Sequence, residues 1–234
     1  MPSLVRVAVL AAVIGWTVLA AVANDIRPSG LVAVFPREVA CPEIASPFGS
    51  ATRYDGSRRP MDRFGGLHGG IDISLAQGTP LLAVAAGKVI AAGTGAMFTG
   101  HYLWLQHAPE DTGLEAWTYT KYQHLREPTA LATGTPVKLG DVVGVSGNTG
   151  TAGRHYGPAG YPHLHLTVFV GPSARFEVRD TAVVADGARI VDPVAIYRDS
   201  RAADATRVAI PSVIDGVVHP AGARLIWPVA CTRR

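Results

Sequence analysis

Short runs of alternating apolar and polar residues, separated by glycine, recur along most of the chain. Residues 164–170 place leucine or valine at every second position, which is typical of a β-strand with one buried face. Residues 102–105 and 117–122 are rich in aromatic and β-branched residues. No segment has a long helical repeat. The pattern therefore predicts an all-β domain of antiparallel sheets.

The chain divides into four predicted parts. Residues 24–45 form a lead-in segment, residues 46–197 form the main domain, and residues 198–234 form a C-terminal extension. The extension contains the apolar run Leu225, Ile226 and Trp227. Because such a run is stabilised by burial, we expect the extension to pack on the main domain.

The first part, residues 1–23, has the features of a signal peptide. A short cationic segment precedes an apolar stretch from Val7 to Val22, and Ala21 and Ala23 occupy positions that signal peptidase requires to be small. Cleavage after Ala23 predicts an exported protein, periplasmic or extracellular. The alternative is an uncleaved membrane anchor, since about 17 apolar residues is the short end of a membrane span. Only then would a membrane be a partner.

The charge and the two cysteines indicate which partners are excluded and whether a disulfide can form. A net charge of +3, with no long Lys/Arg run, argues against a nucleic-acid partner. Cys41 and Cys231 lie near the two ends of the mature chain, and export makes a disulfide between them plausible. The alternative is two unpaired buried thiols. Neither cysteine belongs to a Cys-x-x-Cys motif, which argues against a redox site or a thiolate zinc cluster.

Two short motifs carry candidate metal ligands. In an extended strand, His68 and Asp72 share one face, and so do His163 and His165. Imidazole nitrogen and carboxylate oxygen both suit zinc. The spacing leaves open which of the four groups bind, and whether the site is catalytic or structural. The chain has no His-Glu-x-x-His and no Gly-x-Ser-x-Gly, which argues against thermolysin-like proteases and serine hydrolases.

Further short motifs accompany these two, in a fixed order, across roughly residues 45–195. The segments are 46–49 (SPFG), 68–73 (HGGIDI), 78–80 (GTP), 85–89 (AAGKV), 122–125 (YQHL), 134–141 (GTPVKLGD), 147–150 (GNTG) and 163–166 (HLHL). In these segments the chain resembles the lysostaphin-type, or LytM-like, zinc peptidases that cut peptidoglycan cross-bridges.

The resemblance implies a β-sheet peptidase domain with a cleft over the metal site. It implies that His68, Asp72 and His165 bind one Zn²⁺ and that His163 and His124 are catalytic histidines outside the metal shell. It also implies peptidoglycan as the substrate, cut at either D-Ala-containing or glycine cross-links. Because no wall-binding module is evident, we favour the D-Ala-containing link.

The chain departs from the family pattern near the last motif. Residues 151–162 are longer than the usual link, and their side chains are candidates for the rim of a substrate groove or for an ordinary surface loop. The candidate substrate-binding residues are Tyr156, Tyr161 and Asn148. Thr167 stands where the family often has glutamate, and Leu166 replaces an aromatic residue.

Two alternatives to an active peptidase follow from the same resemblance. The chain could be an inactive LytM-like protein that binds and activates a cell-wall amidase, or a zinc-binding structural domain without turnover. Inactive relatives of this kind typically lack one or more ligands. All five key positions are occupied here, which favours the enzyme.

Overall fold

A computed structural model describes residues 26–62, 64–151, 160–198 and 205–234. The predicted signal peptide and Tyr156 lie outside these ranges. Within them, helical structure is confined to one short helix, α1 (Pro109–Thr112), and two 3₁₀ turns, Phe64–Gly66 and Pro193–Tyr197. Strands make up the remaining regular structure, so the prediction of an all-β protein is confirmed.

The strands are short and connected mostly by turns. In chain order they are β1 (Val32–Val34), β2 (Val39–Ala40), β3 (Ile44–Ser46), β4 (Ile71–Ser74), β5 (Pro80–Leu82), β6 (Gly87–Thr94), β7 (His101–His107), β8 (Trp117–Leu125), β9 (Pro136–Val137), β10 (Val142–Val145), β11 (His163–Gly171), β12 (Phe176–Arg179), β13 (Ala182–Ala185), β14 (Arg189–Val191), β15 (Arg207–Ala209), β16 (Ser212–Ile214), β17 (Val217–His219) and β18 (Thr232–Arg233).

One eight-stranded antiparallel sheet forms the centre of the molecule. Its strands lie in the order β3-β4-β11-β8-β7-β6-β9, and β14 pairs with the far end of β11. The remaining strands form five two-stranded sheets, of which β1 with β15 is parallel. The strands β4 and β11, which carry both sequence motifs, are direct neighbours, with Asp72 opposite His165. Two segments remote in sequence therefore meet in the middle of one sheet.

The two faces of the central sheet have different chemistry. Ile71, Ile73, Leu164 and Leu166 are fully buried on one face, in the main hydrophobic core. Because side chains alternate across a strand, Asp72 and His165 lie on the opposite face. The apolar face fixes the register of the two strands, since a slip of one residue would expose the leucines and isoleucines.

The segments flanking the central sheet are packed against it. Trp227 is fully buried, and the amide of Ile226 donates to the carbonyl of Val84 over 2.9 Å. Cys41 and Cys231 form a disulfide, beside the pairing of β2 with β18. The described part of the C-terminal extension is thus integrated with the main core. Among the residues that the structure describes, no helix has the length and hydropathy of a membrane span.

A hairpin of β12 and β13 covers part of the polar face of the sheet. Val183 of this hairpin is buried in a second apolar cluster with Trp104 and Tyr119. The indole nitrogen of Trp104 donates to the carbonyl of Thr181 over 3.0 Å. The hairpin therefore leaves the other end of the polar face open, where the two histidine motifs lie.

Candidate metal centre

His68 reaches the centre from an irregular segment and not from a strand. The strand β4 begins only at Ile71, so the expectation that the pleat of one extended strand aligns His68 with Asp72 is wrong. The chain bends at residues 69 and 70 and brings the ring beside the carboxylate. The Nε2 atom of His68 lies 3.1 Å from Oδ1 of Asp72.

Gly70 permits this bend because the backbone passes close to β11. A Cβ atom at residue 70 would lie 2.4 Å from the carbonyl oxygen of Leu166 and 2.9 Å from Nε2 of His165. Both distances are shorter than a carbon contact allows. Glycine in this motif is therefore required by the approach of one backbone to another.

The three side chains that the family resemblance assigns to zinc converge on one point. The Nδ1 atom of His165 lies 2.8 Å from Oδ1 of Asp72 and 3.1 Å from Nε2 of His68. His68 and Asp72 are buried, and His165 is nearly so. His68, Asp72 and His165 thus offer two nitrogens and one oxygen to a common centre.

Hydrogen bonds on the far side of the rings determine which atoms face that centre. Nδ1 of His68 lies 3.0 Å from the carbonyl oxygen of Pro47. A carbonyl can only accept, so Nδ1 carries the proton and Nε2 of the neutral ring keeps its electron pair. Nε2 of His165 lies 3.0 Å from Oγ1 of Thr167, which leaves Nδ1 of His165 toward the other two groups.

This donor set fits a zinc ion. Electron-pair donors at about 3 Å from one another, in a site shielded from water, favour a cation between them. Two imidazoles and one carboxylate are a ligand set that catalytic zinc sites use, with one coordination position left open. The bonds from His68 to Pro47 and from His165 to Thr167 supply the outer contacts that orient metal-binding imidazoles.

Arg59 holds the second oxygen of the Asp72 carboxylate. Its guanidinium lies 3.3 Å from Oδ2 and donates to Oγ of Ser46 over 2.8 Å. Burial raises the pKa of Asp72, but His68, His163 and His165 outweigh it and hold that pKa well below its usual value. Asp72 is therefore ionised, with Oδ1 toward the histidines and Oδ2 bound by Arg59.

His163 and His124 lie beside the cluster formed by His68, Asp72 and His165, and both line the same cleft. The centroids of their rings are 4.7 Å apart, and Nε2 of His163 is 3.6 Å from Oδ1 of Asp72. Nδ1 of His163 donates to the carbonyl of Tyr161 over 2.8 Å, and Nδ1 of His124 donates to that of Thr149 over 2.8 Å. Each neutral ring therefore keeps an electron pair on Nε2.

The two rings differ in their electrostatic surroundings. Burial lowers the pKa of both, and for His124 the neighbouring His163 and His165 lower it further, to well below the usual value. For His163 the carboxylate of Asp72 opposes the effect of burial. His124 also has a positive φ of 64°, which is unusual for a residue other than glycine and typical of constrained sites.

The candidate substrate-binding residues lie in different places. The ring of Tyr161 stacks on His163 at 4.3 Å between centroids and lies 4.7 Å from the ring of Tyr54. Asn148 lies in a turn, where its carbonyl accepts from Oγ1 of Thr151 over 2.7 Å, and it is not among the described residues that line the cleft. The structure does not describe Tyr156.

The cluster opens into a cavity of about 280 Å³ on the polar face of the sheet. All five histidine and aspartate positions of the family pattern line it. At the other end, its walls are Trp104, Phe169 and Val183. The expected cleft over the cluster is thus present, and it extends from the cluster to the β12–β13 hairpin.

Arg59, Thr167 and Lys121 are among the cleft residues that were not predicted as site residues. Arg59 lies in a polar loop with no periodic pattern, so the sequence offers no signal for its contact with Asp72. Thr167 was noted only as a departure from the family, although it shares a strand face with His165. Lys121 offered a sequence signal, because it is a cation inside a run of β-forming residues, and it is buried on β8.

His107 is a buried histidine that does not line the cleft. Its Nδ1 donates to the carbonyl of Ala86 over 2.7 Å, and its Nε2 accepts from Oγ1 of Thr120 over 2.9 Å. Burial lowers its pKa from 6.5 to about 4. The ring is therefore neutral in the folded protein at pH values at which the unfolded chain is already protonated.

This difference predicts a loss of stability in acid. Between pH 6.5 and 4 the unfolded state binds more protons at this site, so the free energy of unfolding falls as the pH is lowered through that range, by roughly 3 kcal/mol in total. The variant His107→Gln should have a smaller decrease between pH 7.5 and 4.5 in denaturant unfolding. Parallel pH profiles for the two proteins would contradict the assignment.

Residues 66–182, half of the chain, match peptidase family M23. An uncharacterized metalloprotease of Haemophilus influenzae is 35% identical over 133 residues, which are 56% of this chain and 23% of that protein. Lysostaphin of Staphylococcus simulans is 32% identical over 122 residues, or 52% of this chain and 22% of lysostaphin. The chain thus spans about a quarter of these curated relatives.

Among solved structures, the catalytic domain of the antimicrobial peptidase lysostaphin from Staphylococcus simulans aligns with a TM-score of 0.39 and 26% identity. The alignment covers 54% of this chain and 81% of that domain. Residues 66–182, which match the family, contain the motif from His68 to Ile73, both histidines of the motif 163–166, and His124. The chain belongs to peptidase family M23.

Proposed function

We propose that this protein is a zinc-dependent endopeptidase that hydrolyses peptide cross-links of bacterial peptidoglycan. The observation that carries the proposal is the convergence of His68, Asp72 and His165 on one point, beside two further histidines whose Nε2 atoms keep an electron pair. Membership of peptidase family M23 supports the reaction class. Similarity to lysostaphin, a named antimicrobial peptidase, supports a substrate in the bacterial wall.

The ligand set suits a zinc ion, which would supply polarisation of the scissile carbonyl and acidification of the attacking water. Side chains of the protein hold the ion, orient its ligands and bind the peptide. His68, Asp72 and His165 hold the ion, and Arg59 and Thr167 orient two of these ligands. The cleft excludes bulk water from the reacting atoms and holds the peptide across the sheet.

His163 is the residue best placed to move the proton. Its Nδ1 is bound to the carbonyl of Tyr161, so Nε2 can accept a proton from the attacking water and return it to the leaving amine. Asp72, 3.6 Å away, stabilises the charged imidazolium that forms in between. His124 presents a second basic nitrogen across the cleft, 4.7 Å from His163 between ring centroids, which can share the proton. Once Nε2 of His124 has taken up a proton, it can donate a hydrogen bond to the developing oxyanion.

Export is part of the same proposal, because peptidoglycan lies outside the cytoplasm. The sequence of residues 1–23 predicts a cleaved signal peptide. The disulfide between Cys41 and Cys231 supports an oxidising compartment, since structural disulfides are rare in the cytosol. An intact mass that begins at Met1 in the exported protein would contradict cleavage.

Digestion of purified peptidoglycan tests the function. Protein beginning at Asn24 is incubated with the polymer, with a chelator, and with the chelator followed by zinc. We expect soluble fragments with newly formed amino groups, no fragments with chelator, and recovery with zinc. Mass spectrometry of the fragments identifies the bond that is cut. If no fragment is released at any zinc concentration, the chain is not the enzyme, and stimulation of an added cell-wall amidase would support the alternative.

A further inference from the structure

Tyr161 and His163 present their side chains to the same side of the chain at the start of β11. Tyr161 precedes Pro162, and the residue before a proline favours an extended backbone. Alternate residues of an extended segment point to the same side, so the two rings become neighbours. Their centroids are 4.3 Å apart and their planes are inclined by 22°, which is a stacked arrangement. Both rings line the cleft.

The backbone and the ring of Tyr161 restrain two different features of the same imidazole. The carbonyl of Tyr161 accepts a hydrogen bond from Nδ1 of His163 over 2.8 Å. This bond sets the direction of one edge of the imidazole, but the ring plane can still tilt about it. The stacked phenol ring opposes that tilt, because aromatic rings in contact favour particular relative orientations. Together the two contacts determine where Nε2 of His163 points, 3.6 Å from Oδ1 of Asp72.

The ring of Tyr161 is itself held in place. Tyr161 is 8% exposed, and the ring of Tyr54 lies 4.7 Å from its ring between centroids. The next residue is Pro162, whose ring restricts the backbone between Tyr161 and His163. A side chain that is buried, in contact with a second aromatic ring and attached to a restricted backbone offers His163 a rigid surface.

The reaction proposed above requires such rigidity. His163 has to accept a proton from the attacking water and deliver it to the leaving amine, and these two atoms occupy different positions. A displacement of about 1 Å in a reacting group can lower the rate of a positioned reaction by about 100-fold. The orientation of the imidazole plane is therefore as important for turnover as the presence of the ring.

We propose that Tyr161 is a positioning residue, whose aromatic ring fixes the plane of His163 and so directs Nε2 toward the reacting atoms. In this role Tyr161 acts through His163 and does not act as a substrate-binding residue. The inference rests on the proposed peptidase function and adds a residue to the machinery of the same site. The ring performs the positioning, and the phenol hydroxyl is not required for it.

Kinetics on a soluble peptide that contains the bond cut in peptidoglycan separate positioning from binding. We expect Tyr161→Ala to lower kcat by roughly 10- to 100-fold, with KM within about twofold and one metal ion still bound per chain. Tyr161→Phe retains the ring and should keep kcat within about threefold of the unmodified protein. A higher KM with unchanged kcat in Tyr161→Ala would assign the residue to substrate binding and overturn the proposal.

A second substitution tests whether Tyr161 acts through His163. In a His163→Ala protein, the further change Tyr161→Ala should not lower kcat again, because the group that it positions is already missing. The same fold-loss in both backgrounds would overturn the proposal. Phe35→Ala is the matched control for the loss of an aromatic ring. Phe35 packs its ring 5.5 Å from that of Trp227, outside the cleft, so this variant should retain kcat.

Nuclear magnetic resonance of the zinc-loaded protein gives a readout that does not depend on turnover. The carbon-bound ring protons of His163, identified by their absence in His163→Ala, should be shifted upfield by the stacked phenol ring. The shift should persist in Tyr161→Phe and disappear in Tyr161→Ala. A shift that is unchanged in Tyr161→Ala would overturn the stacking.

The two levels of the proposal fail in different ways. If the unmodified protein cleaves the peptide and Tyr161→Ala cleaves it with the same kcat, the positioning role is wrong and the peptidase function stands. If the unmodified protein cleaves neither peptide nor peptidoglycan, the peptidase function is wrong and the positioning role falls with it.

Discussion

Replacing His163 with alanine is expected to lower kcat/KM on peptidoglycan by roughly 10²- to 10⁴-fold while one metal ion remains bound per chain. The ring lies beside the ligand cluster, and its Nε2 is 3.6 Å from Asp72, whereas His68 and His165 lie at 3.1 and 2.8 Å from the same oxygen. The variant therefore loses a proton carrier and keeps the ligands. Steady-state kinetics and elemental analysis on the same preparation measure both quantities.

The control for this experiment is His219→Ala. His219 is exposed on β17 and does not line the cleft, so its loss should change neither activity nor metal content. A His163→Ala protein that loses its metal would place His163 in the ligand set. A variant that keeps full activity would remove His163 from the reaction and leave His124 as the remaining base.

Replacing Asp72 with asparagine is expected to abolish both metal binding and turnover. The substitution retains the size of the side chain but removes the charge that faces His68 and His165, and a neutral amide is a poor zinc ligand. The affinity loss should exceed the 10- to 100-fold that is typical when a partner outside the ligand set is removed. Equilibrium dialysis against a competing chelator gives the metal affinity.

Asp192→Asn is the matched control for the loss of a buried carboxylate. Asp192 is 7% exposed, and its Oδ1 accepts from the amide of Val194 over 2.8 Å, a bond that asparagine can retain. This variant should bind metal with the affinity of the unmodified protein. Equal metal loss in both variants would indicate a general effect on folding, and metal retention by Asp72→Asn would exclude Asp72 as a ligand.

The β architecture and the strands of the site could be predicted because local patterns encode them. The leucines of β11 alternate with His163 and His165, and this alternation alone places the two imidazoles on the face opposite the core. The segment 108–116, which contains α1, connects the paired strands β7 and β8. These features depend on neighbours in sequence, so a single chain is sufficient to infer them.

Contacts between segments that are remote in sequence could not be predicted from local patterns. The position of His68 depends on a bend that Gly70 permits, whereas the sequence was interpreted as a continuous strand. Arg59 and Asp72, which are in contact, lie 13 residues apart in sequence. The neighbours of Lys121 on β7 and β11 depend on the sheet order, which places β8 between these two strands. Register across the sheet, and not periodicity within a strand, determines these relations.

The disulfide joins Cys41 to Cys231, which are 190 residues apart in sequence, and so closes a covalent ring of backbone that includes every strand of the central sheet. A protease that cleaves the backbone once anywhere inside this ring leaves a single molecule, because the two fragments remain joined through sulfur. The nicked fragments also stay aligned by the strand pairing on either side of the bond. The protein should therefore remain one molecule after a single backbone cut, as long as the disulfide is not reduced.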